Sequence, residues 1–287
     1  MKLGIITPVL TLLPRAHAHW EETARFDDVI AIVQEADRLG YHHCTCSEHV
    51  AVPVDVAAVR GGRYFDPLAT FGALGAATSN IRFAAHVVVL GYHHPLAIAK
   101  RYGTLDVVTG GRLILGVGVG SLREEFDLLD APFDDRGARA DDAMRALRAA
   151  LSQREPAYHG KYYDFEGVLV DPSAVQPHVP MWVGGRTSRS LRRAVDLGDG
   201  WAPFGLRTAD LETMLRRIDR RADRPFEVIV QNEHPLDPLA EPERVAEQLQ
   251  RFAGIGATGV NVRFVHHSRA HYIEQLGALV DVARSRD

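Results

Sequence analysis

The chain has 287 residues, 46% hydrophobic and 24% charged, an ordinary globular composition long enough to bury a large core within one domain. Its formal net charge of −4 excludes a broad basic field for nucleic acid or an anionic membrane, so a small-molecule substrate is the expected partner. No apolar run is long enough to span a membrane, and Met1-Lys2 leads into a short strand without a cleavage pattern, so the chain reads as cytoplasmic.

In chain order, short β-rich segments alternate with helical patterns, as parallel βα units require. The first strand is expected at 3–7, followed by a long connection, 9–26, containing His17 and His19. Those two histidines keep a metal-dependent barrel hydrolase in view, although they lie well past the strand and no metal motif joins them to others. The helix that follows places Val29, Ile32, Val33, Ala36 and Leu39 on one face and stops at Gly40.

The second strand, 42–47, ends in Ser47-Glu48-His49. Alternation sets Thr45, Ser47 and His49 on one face, assigned here to the barrel lumen, and Cys44, Cys46 and Glu48 on the other. His49 is a candidate proton-transfer group, because an imidazole titrates near neutrality. Glu48 is a candidate catalytic carboxylate beside it, which either orients a neighbouring loop or is turned inward by a bulge. The two cysteines, two residues apart, suit packed thiols better than a disulfide. A second long loop, 50–64, leads toward the third strand at 81–89.

His94-Pro95 marks a helix start, with His94 structural. Gly110-Gly111-Arg112 forms a turn before the fourth strand at 113–117, with Asp106 expected to pair with Arg112. That strand runs into Gly116-Val117-Gly118-Val119-Gly120-Ser121. Alternating glycines make room for a flat ring or for a second backbone, and a kinked strand reads equally well. The helix after it carries Ala143, Met144, Leu147, Ala150 and Leu151 at core spacing. Residues 158–171, rich in aromatics with Gly160 and Gly167 as turns, suggest a small hairpin outside the ring.

The fifth strand, 181–184, passes through Gly184-Gly185-Arg186 into Thr187-Ser188 and a helix. Free N–H groups, a positive helix end and an arginine make this an anion-binding loop; a βα turn that merely caps its own helix is the plainer alternative. Further strands are expected at 200–204, 226–230 and 260–265, with Trp201 near enough to the rim to form a pocket wall. A last helix closes the chain with Ile273, Leu276, Leu279 and Val280. Eight such units in one domain predict an α/β fold, a single (β/α)8 TIM-like barrel over 1–287 with the hairpin inserted. Long loops after its strands mark the functional face.

Several segments together resemble the luciferase-like monooxygenase superfamily, and in particular its shorter coenzyme F420-dependent oxidoreductase branch. They are Ser47-Glu48-His49-Val50, residues 81–90 with His94-Pro95-Leu96, and Leu105-Asp106 through Thr109-Gly110-Gly111-Arg112. The strongest is Leu115-Gly116-Val117-Gly118-Val119-Gly120-Ser121-Leu122-Arg123-Glu124-Glu125-Phe126. Arg136-Gly137-Ala138-Arg139, Pro180-Met181-Trp182-Val183-Gly184-Gly185 and Leu197-Gly198-Asp199-Gly200-Trp201 complete them.

The resemblance implies an oxidoreductase that transfers a hydride between a deazaflavin, coenzyme F420, and a small organic substrate, with the ring over the strand ends. It implies a cis peptide at His86-Val87 backing that ring, and a proton-transfer role for His49. Ser47, His86, Val87, Gly118, Val119 and Gly120 then belong to the cofactor site, and Gly184, Gly185, Arg186, Thr187 and Ser188 hold its phosphate. A homodimer is implied as well. Where long-chain relatives carry an arginine near the flavin phosphate this chain has Val119, which favours deazaflavin over FMN. Ser121 stands where sugar-phosphate dehydrogenases of the branch carry an acid, so that substrate is not implied. The alternatives are an FMN-dependent monooxygenase on the same scaffold, the metal-dependent hydrolase, and a non-catalytic cofactor-binding protein.

Overall fold

The computed structural model describes residues 1–14, 16–217 and 225–285, so position 15 of the 9–26 loop lies outside the described residues. Its strands are β1 Lys2–Ile6, β2 His43–Cys46, β3 Arg82–Ala85, β4 Val88–Val89, β5 Leu113–Gly118, β6 Tyr158–His159, β7 Asp164–Phe165, β8 Met181–Gly184, β9 Gly200–Ala202, β10 Glu227–Gln231 and β11 Gly259–Val262. The α-helices are α1 Phe26–Arg38, α2 Val54–Arg60, α3 Pro67–Ala77, α4 Pro95–Val108, α5 Arg123–Leu128, α6 Arg136–Ala150, α7 Ser188–Leu197, α8 Thr208–Arg216, α9 Pro242–Gly254 and α10 Arg269–Arg284.

Eight strands close the ring in the order β1, β2, β3, β5, β8, β9, β10, β11 and back to β1, every pairing parallel. This is the (β/α)8 barrel that the sequence predicts. Each helix buries the stripe its spacing dictates: Val29, Ile32, Val33 and Ala36 on α1, and Leu276, Leu279 and Val280 on α10. Gly40, at φ 83°, ends the α1 unit in the left-handed region that favours glycine. Strand residues divide by parity. Ile5, Cys44, Cys46, Val117, Val183, Val230 and Val262 face the helices, whereas Ala84, Ile114, Trp182, Ala202 and Ile229 fill the lumen.

The lumen floor is polar. His43 is fully buried, its Nε2 donates to Asn261 Oδ1, and its Nδ1 accepts from His42 Nδ1 at 2.9 Å. Burial, the neighbouring imidazole and nearby cations push His43 down to about 3. Burial, followed by Lys2 and Arg82, pushes His42 down to about 4.

The departures from expectation are local. The 50–64 connection is not all loop, since Pro53 opens α2 at Val54–Arg60. The predicted 81–89 strand is divided into β3 and β4 by a cis peptide at His86-Val87, and β4 pairs only with β5. The hairpin exists but is confined to β6 and β7, with Tyr158 opposite Phe165. Asp106 does not pair with Arg112. It accepts from the Leu113 amide and from Gln176, while Arg112 donates to Thr78 Oγ1 and to the carbonyls of Thr109, Ile81 and Gly75. Cys44 and Cys46 are buried free thiols, with pKa values raised chiefly by burial.

Candidate active site at the C-terminal mouth of the barrel

The mouth is organised around the break in the third strand. At the cis peptide the chain bulges inward and carries Val87 against the ends of β5 and β8. Three glycines on neighbouring strands make room for that bulge. A Cβ on Gly116 would stand 1.7 Å from the Ala85 carbonyl oxygen, and one on Gly118 or Gly184 would stand 2.5 Å from a Val87 methyl. Of the readings open for the glycine run, close approach of a second backbone is therefore the one realised. The half-buried Val87 side chain stands between these glycines, so Gly118 and Gly184 form the bed beneath it.

The bulge is held from both sides. Ser47 Oγ donates to the His86 carbonyl at 2.9 Å, and His86 Nε2 donates to the Ala202 carbonyl at 3.1 Å. With its proton committed there, the neutral His86 ring keeps Nδ1 as an acceptor, and burial holds its pKa below the usual histidine range.

His49 stands two residues past Ser47 on the same face. Its Nδ1 donates to Glu125 Oε2 at 2.7 Å, and its ring lies 4.4 Å from that of Tyr64, centroid to centroid. Glu125 is fully buried, and it also accepts from Tyr92 Oη at 2.8 Å and from the Val50 and Ala51 amides. Burial works to raise its pKa, but the hydrogen bonds from His49, Tyr92 and Val50 outweigh that, so the carboxylate stays ionised below its ordinary range. An ionised carboxylate on Nδ1 fixes one tautomer and leaves Nε2 of His49 as the acceptor nitrogen.

Glu48 faces away from this chemistry. Its carboxylate accepts from the Val89 amide at 2.6 Å and from His93 Nε2 at 2.7 Å, on the outer side of the strand. It borders a cleft of about 200 Å³ between α3 and α4, with Asp66, Leu68, His93, Ile98, Arg101 and Tyr102. No bulge turns it inward, and it is the loop-orienting alternative that the geometry adopts.

On the β8 side, Gly185 takes φ 113° and Thr187 caps α7, its Oγ1 accepting from the Ser190 amide at 3.2 Å. The cap satisfies that third amide. The Ser188 and Arg189 amides and the exposed Arg186 guanidinium have no partner among the described residues. Two free amides at a helix N-terminus beside an unpaired arginine form a cradle suited to a phosphate.

Val119 is half-buried against the core. Two arginines reach its loop, Arg60 on Ser121 Oγ and Arg136 on the Gly120 carbonyl while stacked on Phe133. His17 and His19 both turn to the surface carboxylate of Glu22, and His19 is almost fully exposed. Among the described residues no three His, Cys, Asp or Glu side chains are grouped to hold a metal. His94 caps α4 by accepting from the Leu96 amide.

Sequence reasoning misplaced one wall of the mouth and missed its strongest group. Trp201 is buried toward the helices, and its indole N–H donates to Ser190 Oγ; Phe204, edge-on to His86, forms the wall instead. Strand alternation from Ala202 points to Phe204, so a signal was present. Glu125 carried a weaker one, lying beside the core residue Phe126 in the Leu122–Phe126 turn, with nothing in the sequence to say that it reaches a histidine 76 residues away.

Comparison with known proteins agrees with this architecture. A monooxygenase of Streptomyces bottropensis superposes with a TM-score of 0.81 at 19% identity, covering 100% of this chain and 99% of the other. A coenzyme F420-dependent tetrahydromethanopterin reductase of Methanopyrus kandleri superposes at 0.75 and 16% identity, covering 96% and 97%. An uncharacterised protein of Mycobacterium tuberculosis is 29% identical over 227 residues, 73% of this chain and 78% of the relative. The family model for luciferase-like monooxygenases matches residues 6–234, and the chain belongs to that family.

Proposed function

We propose that the protein is a coenzyme F420-dependent oxidoreductase acting on a small organic substrate. The observation that carries the reading is the convergence, in one barrel mouth, of the Val87 bulge, the His49–Glu125 pair and the phosphate cradle of α7. A bound deazaflavin would supply two-electron hydride chemistry. The chain's own residues do the rest. Val87 gives the ring a flat apolar backing, with Ser47 and His86 fixing the backbone that carries it. Gly185, Arg186, Thr187 and Ser188 receive the phosphate on the cradle's free donors. Glu125 holds His49 so that Nε2 takes up or releases the substrate proton. Glu48 is a positioning residue that ties down β4.

Val119, where long-chain relatives carry a cation, supports deazaflavin over FMN. The second reading, an FMN-dependent monooxygenase, is supported by the similarity to the Streptomyces monooxygenase. Side-by-side fluorescence titrations with the two cofactors separate them. Tighter binding of coenzyme F420 is expected, and the reverse order together with oxygen-dependent turnover on reduced FMN would favour the second reading.

The proposed assembly is a homodimer. The long apolar helix α3 supports it, having no charged residue between Pro67 and Ala77 and exposing Ala69, Ala73 and Ala76. Sedimentation at micromolar concentration should show twice the chain mass, and a monomer there would exclude it.

A further inference from the structure

At the end of the last barrel strand, Asn261 points into the lumen and Val262 into the helix layer, so alternation returns Arg263, just past the strand, to the lumenal side at the mouth. Its guanidinium is half-buried, Nε is buried without a hydrogen-bond partner among the described residues, and its one side-chain bond is a long one of 3.4 Å to the Glu233 carbonyl. Among the described residues no carboxylate compensates the charge. Glu233 spends its own carboxylate on the Thr208 amide and hydroxyl, and Arg207 takes Asp210. Burial lowers the Arg263 pKa.

A half-buried guanidinium whose Nε is buried without a partner, and which has no counter-ion among the described residues, is costly to maintain, which makes the fork a receptor for an oxyanion. On the adjacent strand Gln231 shares the lumenal parity of Ile229, pairs in register with Asn261, and has a side-chain amide with no partner among the described residues. This pair is not the cofactor phosphate cradle. Around the ring β11 is three strands from β8, whereas it is two from β2, which carries His49.

The loops that follow the barrel strands expose Leu13, Val50, Val54, Val59, Phe204 and Val265, with Val54 91% and Val59 80% exposed. Exposed apolar side chains on the loops of the face that carries this half-buried cation suit a ligand with an apolar body and a charged end.

Resting on the proposed function for the site itself, we infer that the substrate is an apolar organic acid, a carboxylate or phosphate ester, whose oxyanion is held by Arg263 with Gln231. Arg263 is thus a specificity residue, distinct from the group that moves the proton.

The test is calorimetric titration of the full chain, with and without bound cofactor, using 3-phenylpropionate, phenyl phosphate, 3-phenylpropionamide and acetate. Wild type should bind one of the two aromatic anions at least about ten-fold more tightly than the neutral amide or acetate, and the better anion identifies the oxyanion. R263Q should remove that preference by weakening the anion about ten- to a hundred-fold, and R263K should restore only part of it, with cofactor affinity changed less than two-fold in both. Failure of both aromatic anions to bind more tightly than the amide, no binding of either anion at millimolar concentration, or acetate matching the better aromatic anion overturns the inference. Loss of cofactor rather than anion in R263Q also overturns it, by assigning Arg263 to the cofactor. Unchanged thermal melting of R263K guards against misfolding. If neither cofactor binds while the acids still discriminate, the hydride-transfer reading fails and the anion site stands.

Discussion

At the scale of single residues, the proposed chemistry depends on one imidazole whose two nitrogens are given different duties. His49 commits Nδ1 to Glu125, which leaves Nε2 as the nitrogen proposed to move the proton. H49N should therefore lower turnover about a hundred- to ten-thousand-fold, the usual worth of general acid or base catalysis, with cofactor affinity nearly unchanged. E125Q is expected to be milder in rate, because the amide still accepts a bond from Nδ1 and keeps the ring oriented. Stopped-flow turnover checks both variants, and an unchanged E125Q rate would assign Glu125 to structure alone. His49 was visible in the sequence because a histidine two residues past a barrel strand keeps that strand's parity. Glu125 was not, because a buried carboxylate reveals its partner only through tertiary contact.

Among the elements, α7 and the β5–β8 pair show how local chemistry becomes a binding surface. The Gly-Gly-Arg-Thr-Ser stretch was legible as a helix start because capping rules are local: Thr187 caps α7, and the Ser188 and Arg189 amides that the proposed anion site would use have no partner among the described residues. R186E should weaken cofactor binding by roughly ten-fold or more through repulsion of the phosphate, while turnover at saturating cofactor recovers. Titration followed by rate measurement separates the two effects, and normal affinity in R186E would remove the phosphate from this loop. The glycines of β5 were ambiguous for a physical reason: a missing Cβ says that something approaches, not what. Only the packing of β5 against the broken third strand shows that the visitors are the Ala85 carbonyl at Gly116 and the Val87 side chain at Gly118. Strand ends and the α2 helix were misjudged where short segments lie between turn residues, since propensity there is overruled by packing at the rim.

For the whole molecule, the closed ring and its eight repeats were readable from periodicity, because parity and amphipathic spacing are the same in every unit. The polar floor was not, for it is assembled from β2 and β11, far apart in sequence. That floor makes acid stability a property of the barrel. Unfolded histidines protonate near pH 6.5, whereas His42 and His43 in the fold resist until about 4 and about 3. The unfolded chain thus binds more protons below pH 6.5, and stability should fall as pH drops from there toward 4, by up to roughly 1.4 kcal/mol per pH unit for His43. Denaturant midpoints at pH 7, 5.5 and 4.5 measure it, and a flat series would mean that the floor admits protons freely. The ring carries another weakness higher up. The ladder between β2 and the third strand ends at the His86 amide, beyond which Ser47 and Glu48 grip the chain with side chains instead of main chain. The hoop is buckled there rather than woven, and a buckle can be undone separately from the belt. In E48A the Val89 amide should exchange with deuterium far faster than the β2 and β5 amides on either side, so that the catalytic rim slackens on one flank while the barrel below stays shut.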